Sequence, residues 1–172
     1  MRNASKLKSA LCNPPLLAHP VATAPFVLET DACDFGLGAV LLQVGADGKE
    51  HPIEYASRLI RVHERNWPVR EKEALAILWG CEHFEVWLLQ QPFIVRTDHL
   101  SLQWLHKAVG GRLERWAMRL QKFTYKIVAK RGKHNAAADF LSRSGLDVAP
   151  KRTHSEDFTS EMVLATRFVF DA

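Results

Sequence analysis

Four carboxylates in unlike surroundings are the residues best able to do chemistry here: Asp31, Glu73, Asp98 and Asp139. Asp31 follows the apolar run 26–30, and Asp98 follows the run 93–97. Glu73 stands one residue before an apolar stripe that begins at Ala74, and Asp139, which follows three alanines, falls at the start of the last expected helix. Any one of them alone reads most simply as a helix cap or a solvated strand end. Brought together, the four would repel one another strongly unless a cation neutralised them. A hard, oxygen-rich site of that kind suits Mg²⁺ or Mn²⁺.

The other charged feature is basic. Between residues 106 and 143, ten Lys or Arg stand against two acids, Glu114 and Asp139, and the remainder of the chain is net acidic. Arg112, Arg115, Arg119 and Lys122 share one helical face, while Leu113, Trp116, Ala117 and Leu120 share another. The plain reading is a solvated face. Four like charges with no acid interleaved on that stripe repel, however, which favours contact with phosphate. Trp104 and Trp116 read as core residues rather than base-stacking platforms. The overall charge of +4 permits a polyanionic partner without requiring one.

The elements that must position these groups follow from periodicity. Runs at 26–30 and 38–44, separated by Asp34, Phe35 and Gly36, predict a hairpin. The turn Ala46, Asp47 and Gly48 leads to a third strand over 51–57. From 68 to 89 the period changes: Ala74, Ile77, Leu78, Cys81, Phe84 and Leu88 recur at three- and four-residue steps, with Pro68 suited to a first helical turn. A strand over 93–97, a short helix over 100–105 and a helix over 112–122 come next, with Gly110 and Gly111 breaking between the helices. A fifth strand is expected over 125–130, a turn at Gly132 and a last helix over 136–142.

With 172 residues the chain has room for one domain and a sizeable core. Four prolines, Pro14, Pro15, Pro20 and Pro25, mark residues 1–25 as a connector, and residues 145–172 read as an irregular tail or linker. No apolar run approaches the roughly 20 residues of a membrane span, and the prolines interrupt any signal-peptide core. Cys12, Cys33 and Cys81 lack metal-ligand or disulfide spacing, which fits a reducing, intracellular setting. A cytoplasmic particle or the nucleus is expected, not secretion.

The text around the carboxylates is more specific than their spacing. Through FVLETDACDFGLGAVLLQ, HPIEYASRL, EKEALAI, FIVRTDHLSLQWL, RLERWAMRLQKF and GKHNAAADFLSRS, residues 26–143 resemble the ribonuclease H domain of Gypsy-like long-terminal-repeat retrotransposons. The resemblance places the catalytic carboxylates at Asp31, Glu73, Asp98 and Asp139, and favours Glu73 over the competing Glu71 of the same EKE run. It implies an α/β fold, the ribonuclease H-like five-stranded mixed sheet flanked by helices, over residues 26–144. It also implies two Mg²⁺ (or Mn²⁺) ions about 4 Å apart that activate water and stabilise charge on the scissile phosphate. Asp31 would bridge both ions, Glu73 and Asp98 would complete one site, and Asp139 the other. The expected reaction is cleavage of the RNA strand of an RNA:DNA hybrid to a 3′-hydroxyl and a 5′-phosphate. The expected partner is a reverse transcriptase, linked or associated within a polyprotein, and LKSAL and NPPLLAHP near the N-terminus look like the end of such a connection.

His99, which follows Asp98 in the family's TDH motif, is an auxiliary candidate near the substrate or as support to a metal ligand. The family often has Tyr where this chain has Ala129, Pro where it has Arg131, and TDAS where it has TDAC. The missing Tyr removes a titratable group, and His134, before Asp139, is the candidate to assist proton transfer or product release in its place. Two other functions share this fold. A non-catalytic binding or connection module would have no need of four gathered carboxylates, and an integrase or transposase is not expected to carry EKEALAI or ADFLSRS.

Overall fold

The computed structural model describes residues 17–130 and 136–143. Five strands, β1 (Phe26–Ala32), β2 (Gly36–Val44), β3 (Glu50–Leu59), β4 (Phe93–Thr97) and β5 (Tyr125–Ala129), form one mixed sheet in the order β3-β2-β1-β4-β5. The first three make an antiparallel meander, while β4 runs parallel to both β1 and β5. This is the mixed five-stranded sheet expected above.

Side chains alternate between two unequal faces, as the two-residue period of a strand requires. Leu28, Leu37, Ala39, Leu41, Phe93, Val95 and Ile127 point into the larger core. There they meet α1 (Val69–His83), whose residues from Ala74 to Leu78 are all buried because the helix lies between the sheet and α3 (Gly111–Leu120). The other face carries a small cluster of Val27, Val40, Leu42 and Ala138 beneath α4 (Ala136–Arg143). Glycine makes this second layer thin. A Cβ at Gly38 would lie 2.2 Å from the Ala138 carbonyl oxygen, and one at Gly36 would lie 2.3 Å from that of Ser142. Only hydrogen lets the helix backbone rest there, so these two residues decide how closely α4 approaches β1.

Several boundaries differ from the periodic reading. The strand expected to stop at Thr30 continues through Asp31 and Ala32, which pair with Gly38 and Leu37, so Asp31 lies inside β1. The single helix expected over 68–89 breaks at Phe84, whose backbone leaves helical geometry, and resumes as the short α2 (Glu85–Leu88). Phe84 and Leu88 are both buried, and Trp87 packs on Phe26. The segment Leu100–Lys107 is 3₁₀ rather than α-helical. Residues 18–24, part of the expected connector, are tied to the sheet: the Ala18 amide donates to Pro52, and the buried Gln43 amide bonds Val21 and Ala24. No described helix is long and apolar enough to cross a membrane.

Candidate active site

Two crossover connections bring the carboxylates together. Because β1 and β4 are parallel neighbours with Glu29 level with Arg96, the same register continued two residues sets Asp31 level with Asp98 at the carboxyl ends of the strands. Ligands of open α/β sheets gather at such ends. The two helices supply the remaining acids, Glu73 from α1 on the large-core face and Asp139 from α4 on the thin face.

Glu73 is 2% exposed. Its Oε1 accepts the Ala32 amide at 3.3 Å, while Oε2 is buried with no hydrogen-bond partner. Burial, helped by Asp31 and Asp98, pushes its carboxyl up to about 9. Asp31 is pushed up to about 6, chiefly by burial. The Ser142 hydroxyl, which donates to its Oδ2 at 2.7 Å, opposes the shift, and Asp139 and Asp98 add to it. Asp98 is exposed and sits 2.9 Å from His99 Nδ1, which lies 3.7 Å from Glu73 Oε1. One ligand atom each from Glu73, Asp98 and His99 falls within 4.8 Å of the others, a group of acidic and imidazole donors able to hold a metal ion. Asp139 pairs with Arg143 at 2.7 Å, one turn along α4.

Glu29 is an instructive neighbour. It lies two residues before Asp31 on the same face of β1 and is equally buried, yet Arg96 at 3.2 Å and Lys130 both pair with it. Among the described residues, no Lys or Arg forms an ion pair with Asp31 or Glu73; His99 lies 3.7 Å from Glu73, and Arg143 acts on Asp31 only from a distance. Each carboxyl is pushed toward its protonated form, and Glu73 keeps an orphaned oxygen. A divalent cation fits that electrostatic deficit and that donor set.

A family model described as the RNase H-like domain found in reverse transcriptase matches residues 21–123. The chain belongs to that family. A relative of this RNase H-like domain, the retrovirus-related Pol polyprotein from transposon 297 of Drosophila melanogaster, is 42% identical over 153 residues, 88% of this chain. The chain spans only 14% of that polyprotein's length. The foamy viral protease-reverse transcriptase in complex with RNA/DNA hybrid shares the fold at a TM-score of 0.55 and 19% identity, covering 94% of this chain and 21% of that one. RNase H1 from Halobacterium salinarum does so at 0.53 and 17%, covering 73% and 98%. The Gypsy-like retrotransposon resemblance and the RNase H-like fold are therefore both shown.

The basic face of α3 differs from its sequence picture. The repulsion inferred from a stripe without acids is relieved by α1 and α2. Arg112 pairs with Glu71 and stacks 3.7 Å over the Trp67 ring, Arg119 pairs with Glu82 at 2.6 Å, and Lys122 pairs with Glu85 at 2.7 Å. Arg115 is exposed and makes no ion pair among the described residues. Glu71, the alternative to Glu73, is thus engaged with Arg112. Trp116 is buried, whereas the side chains of Trp104 and Ala129 and the whole of His134 lie outside the described residues. Sequence reasoning passed over Ser142 and Lys72. Ser142 follows Asp139 by three helical positions, a spacing that could have flagged it. A larger cavity of about 550 Å³ lies between Gln103, His106, Leu120 and Tyr125, and none of the four carboxylates lines it.

Proposed function

We propose that this domain hydrolyses the RNA strand of RNA:DNA hybrids within a retrotransposon reverse transcriptase, using two divalent cations, Mg²⁺ or Mn²⁺. The observation that carries this reading is the gathering of buried Asp31 on β1 and buried Glu73 on α1 with Asp98 and His99 where the parallel strands β1 and β4 end. The relation to retrotransposon polyproteins supports the substrate.

Asp31, Glu73, Asp98 and Asp139 would hold the ions. When bound, the cations activate a water molecule and stabilise charge on the phosphate. The protein's own part is positional and electrostatic. Ser142 fixes the Asp31 carboxylate, the Ala32 amide fixes one Glu73 oxygen, and Arg143 restrains Asp139 beside the site. Glu73 must lose a proton before it can act as a ligand, so cation binding and proton release are coupled. His99 is placed to orient Asp98 through its Nδ1 contact.

The test is a gel assay with labelled RNA:DNA hybrid, duplex RNA and duplex DNA, with Mg²⁺, Mn²⁺ or EDTA. Cleavage confined to the RNA strand of the hybrid and abolished by EDTA is the expected result. Binding without cleavage under every metal condition would turn the reading into a connection-type module, and metal-independent cleavage would remove the mechanism.

A further inference from the structure

A notch of about 270 Å³ opens beside the carboxylates, between the β1–β2 turn and the first turn of α1. Its walls include Asp34, Phe35, Val69, Lys72 and Arg143. Lys72 immediately precedes Glu73, and its side chain is only 6% exposed. Its ammonium reaches Asp34 at 2.7 Å, but that carboxylate is 74% exposed. Phe35 and Val69, 52% and 56% exposed, present apolar surface at the same notch.

A buried ammonium has surrendered its hydration and needs a strong acceptor. Asp34 meets that need with a carboxylate that is itself largely in water, so a competing anion can reach the same ammonium. A phosphate oxygen entering the notch would give a charge-assisted bond to the same ammonium. Lysine acts there as a point charge that accepts a phosphate from several directions, whereas an arginine fork would fix one. Arg143, paired with Asp139, closes the far wall, and Phe35 and Val69 suit the apolar face of a sugar. Asp34 would then occupy the phosphate position in the free protein and move aside for the ligand.

We propose that this notch binds a backbone phosphate of the cleaved strand next to the scissile one, with Lys72 as the positioning residue and Asp34 as a displaceable internal competitor. The assignment rests on the hybrid-nuclease reading given above. It has a distinctive sign: neutralising an acid that forms a salt bridge improves ligand binding.

The experiment measures binding of a fluorescent RNA:DNA hybrid by anisotropy, with Ca²⁺ in place of Mg²⁺ to suppress turnover, across a series of salt concentrations. Lys72→Gln should weaken binding about tenfold and lower the log–log salt slope by roughly 0.7 to 0.9. Asp34→Asn should tighten binding several-fold, and the double variant should match Lys72→Gln. Asp34 is exposed, so its variant is expected to fold even if burying a glutamine at position 72 is not tolerated. In that case the direction of the Asp34→Asn effect decides alone. Unchanged or weaker binding by Asp34→Asn, with a parent that binds and cleaves hybrid, overturns the notch and leaves the nuclease reading standing. A parent that neither binds nor cleaves hybrid overturns both.

Discussion

Two groups of like charge lie on this domain, the carboxylates at the strand ends and the basic face of α3. Their surroundings are opposite. Along α3, Arg112, Arg119 and Lys122 each meet a glutamate from α1 or α2, so most of the apparent excess charge is already balanced. Beside the strand ends, Asp31 and Glu73 are buried among other acids with no Lys or Arg ion pair among the described residues, although Glu29, two residues before Asp31, has two. A row of like charge in a sequence is therefore a weak sign of ligand binding until the fold shows whether its counter-charges come from elsewhere in the chain. Among the described residues the less balanced group is the acidic one, the electrostatic setting that a bound cation would suit.

The largest effects expected from that contrast come from removing the unbalanced charge. Asp31→Asn and Asp98→Asn should each lower hybrid cleavage by about 10²-fold or more, as loss of a principal electrostatic element does. Stability should move the other way in metal-free protein. A carboxyl whose value is raised binds its proton more tightly in the folded state, so its contribution is greatest at low pH. That contribution is lost as pH climbs through about 6 for Asp31 and about 9 for Glu73. Asp31→Asn and Glu73→Gln should accordingly raise the melting temperature of metal-free protein at pH 8 by a few degrees. Scanning calorimetry in EDTA checks this, and a lowered midpoint for both would mean that the carboxylates are structurally satisfied after all.

Cation binding sharpens the same contrast. With Glu73 pushed up to about 9, a cation that takes this ligand must displace a proton near neutral pH. Affinity for Mg²⁺ or Mn²⁺ should climb by up to about tenfold per pH unit between pH 7 and 8 and level off above 9. In Glu73→Gln that dependence should largely disappear. Isothermal titration at several pH values measures it, and a flat profile in the parent would show that Glu73 is not a ligand.

Much of this was legible in the sequence, and the failures are local. Compact apolar runs and turn signals located the strands, because a sheet covered on both faces buries consecutive residues, as around Leu28 and Leu41. The carboxylates stood out because their flanking text resembles one family, whereas their spacing alone did not separate Asp31 from the buried but balanced Glu29. What escaped was pairing between distant elements. Nothing near Arg119 announces Glu82, and nothing near Lys72 announces Asp34, since each contact exists only after α1 has packed. The break at Phe84 also escaped, because the apolar period continues straight through it to Leu88.

A smaller effect is expected from Ser142, which supports Asp31 without being an acid. Its hydroxyl donates to Asp31 at 2.7 Å and lowers a value that burial raises. Ser142→Ala should raise the Asp31 value further and shift the acid limb of the pH–rate profile to higher pH. Metal affinity should fall about 10- to 100-fold, as it does when a partner of a metal ligand is lost. An unshifted acid limb with normal affinity would reduce Ser142 to a packing residue.

The smallest effects should come from the basic face, and they separate balanced from unbalanced charge within one helix. Arg115 is exposed and has no described ion pair, whereas Arg119 and Lys122 are each held by a glutamate. A phosphate approaching Arg119 must compete with Glu82, and neutralising that arginine leaves the glutamate unpaired, so part of any loss would be added repulsion. Arg115 carries no such complication. If the domain binds hybrid, Arg115→Gln should lower the log–log salt slope by about 0.7 to 0.9, the share of one phosphate contact. Arg119→Gln and Lys122→Gln should lower the slope by less, and the thermal stability of all three should stay within about 0.5 kcal/mol of the parent, as for ordinary surface substitutions. Anisotropy titrations across a salt series decide between them. Equal slope changes at all three positions would show that the glutamate pairs open freely on binding, and no change at Arg115 would return this face of α3 to solvent.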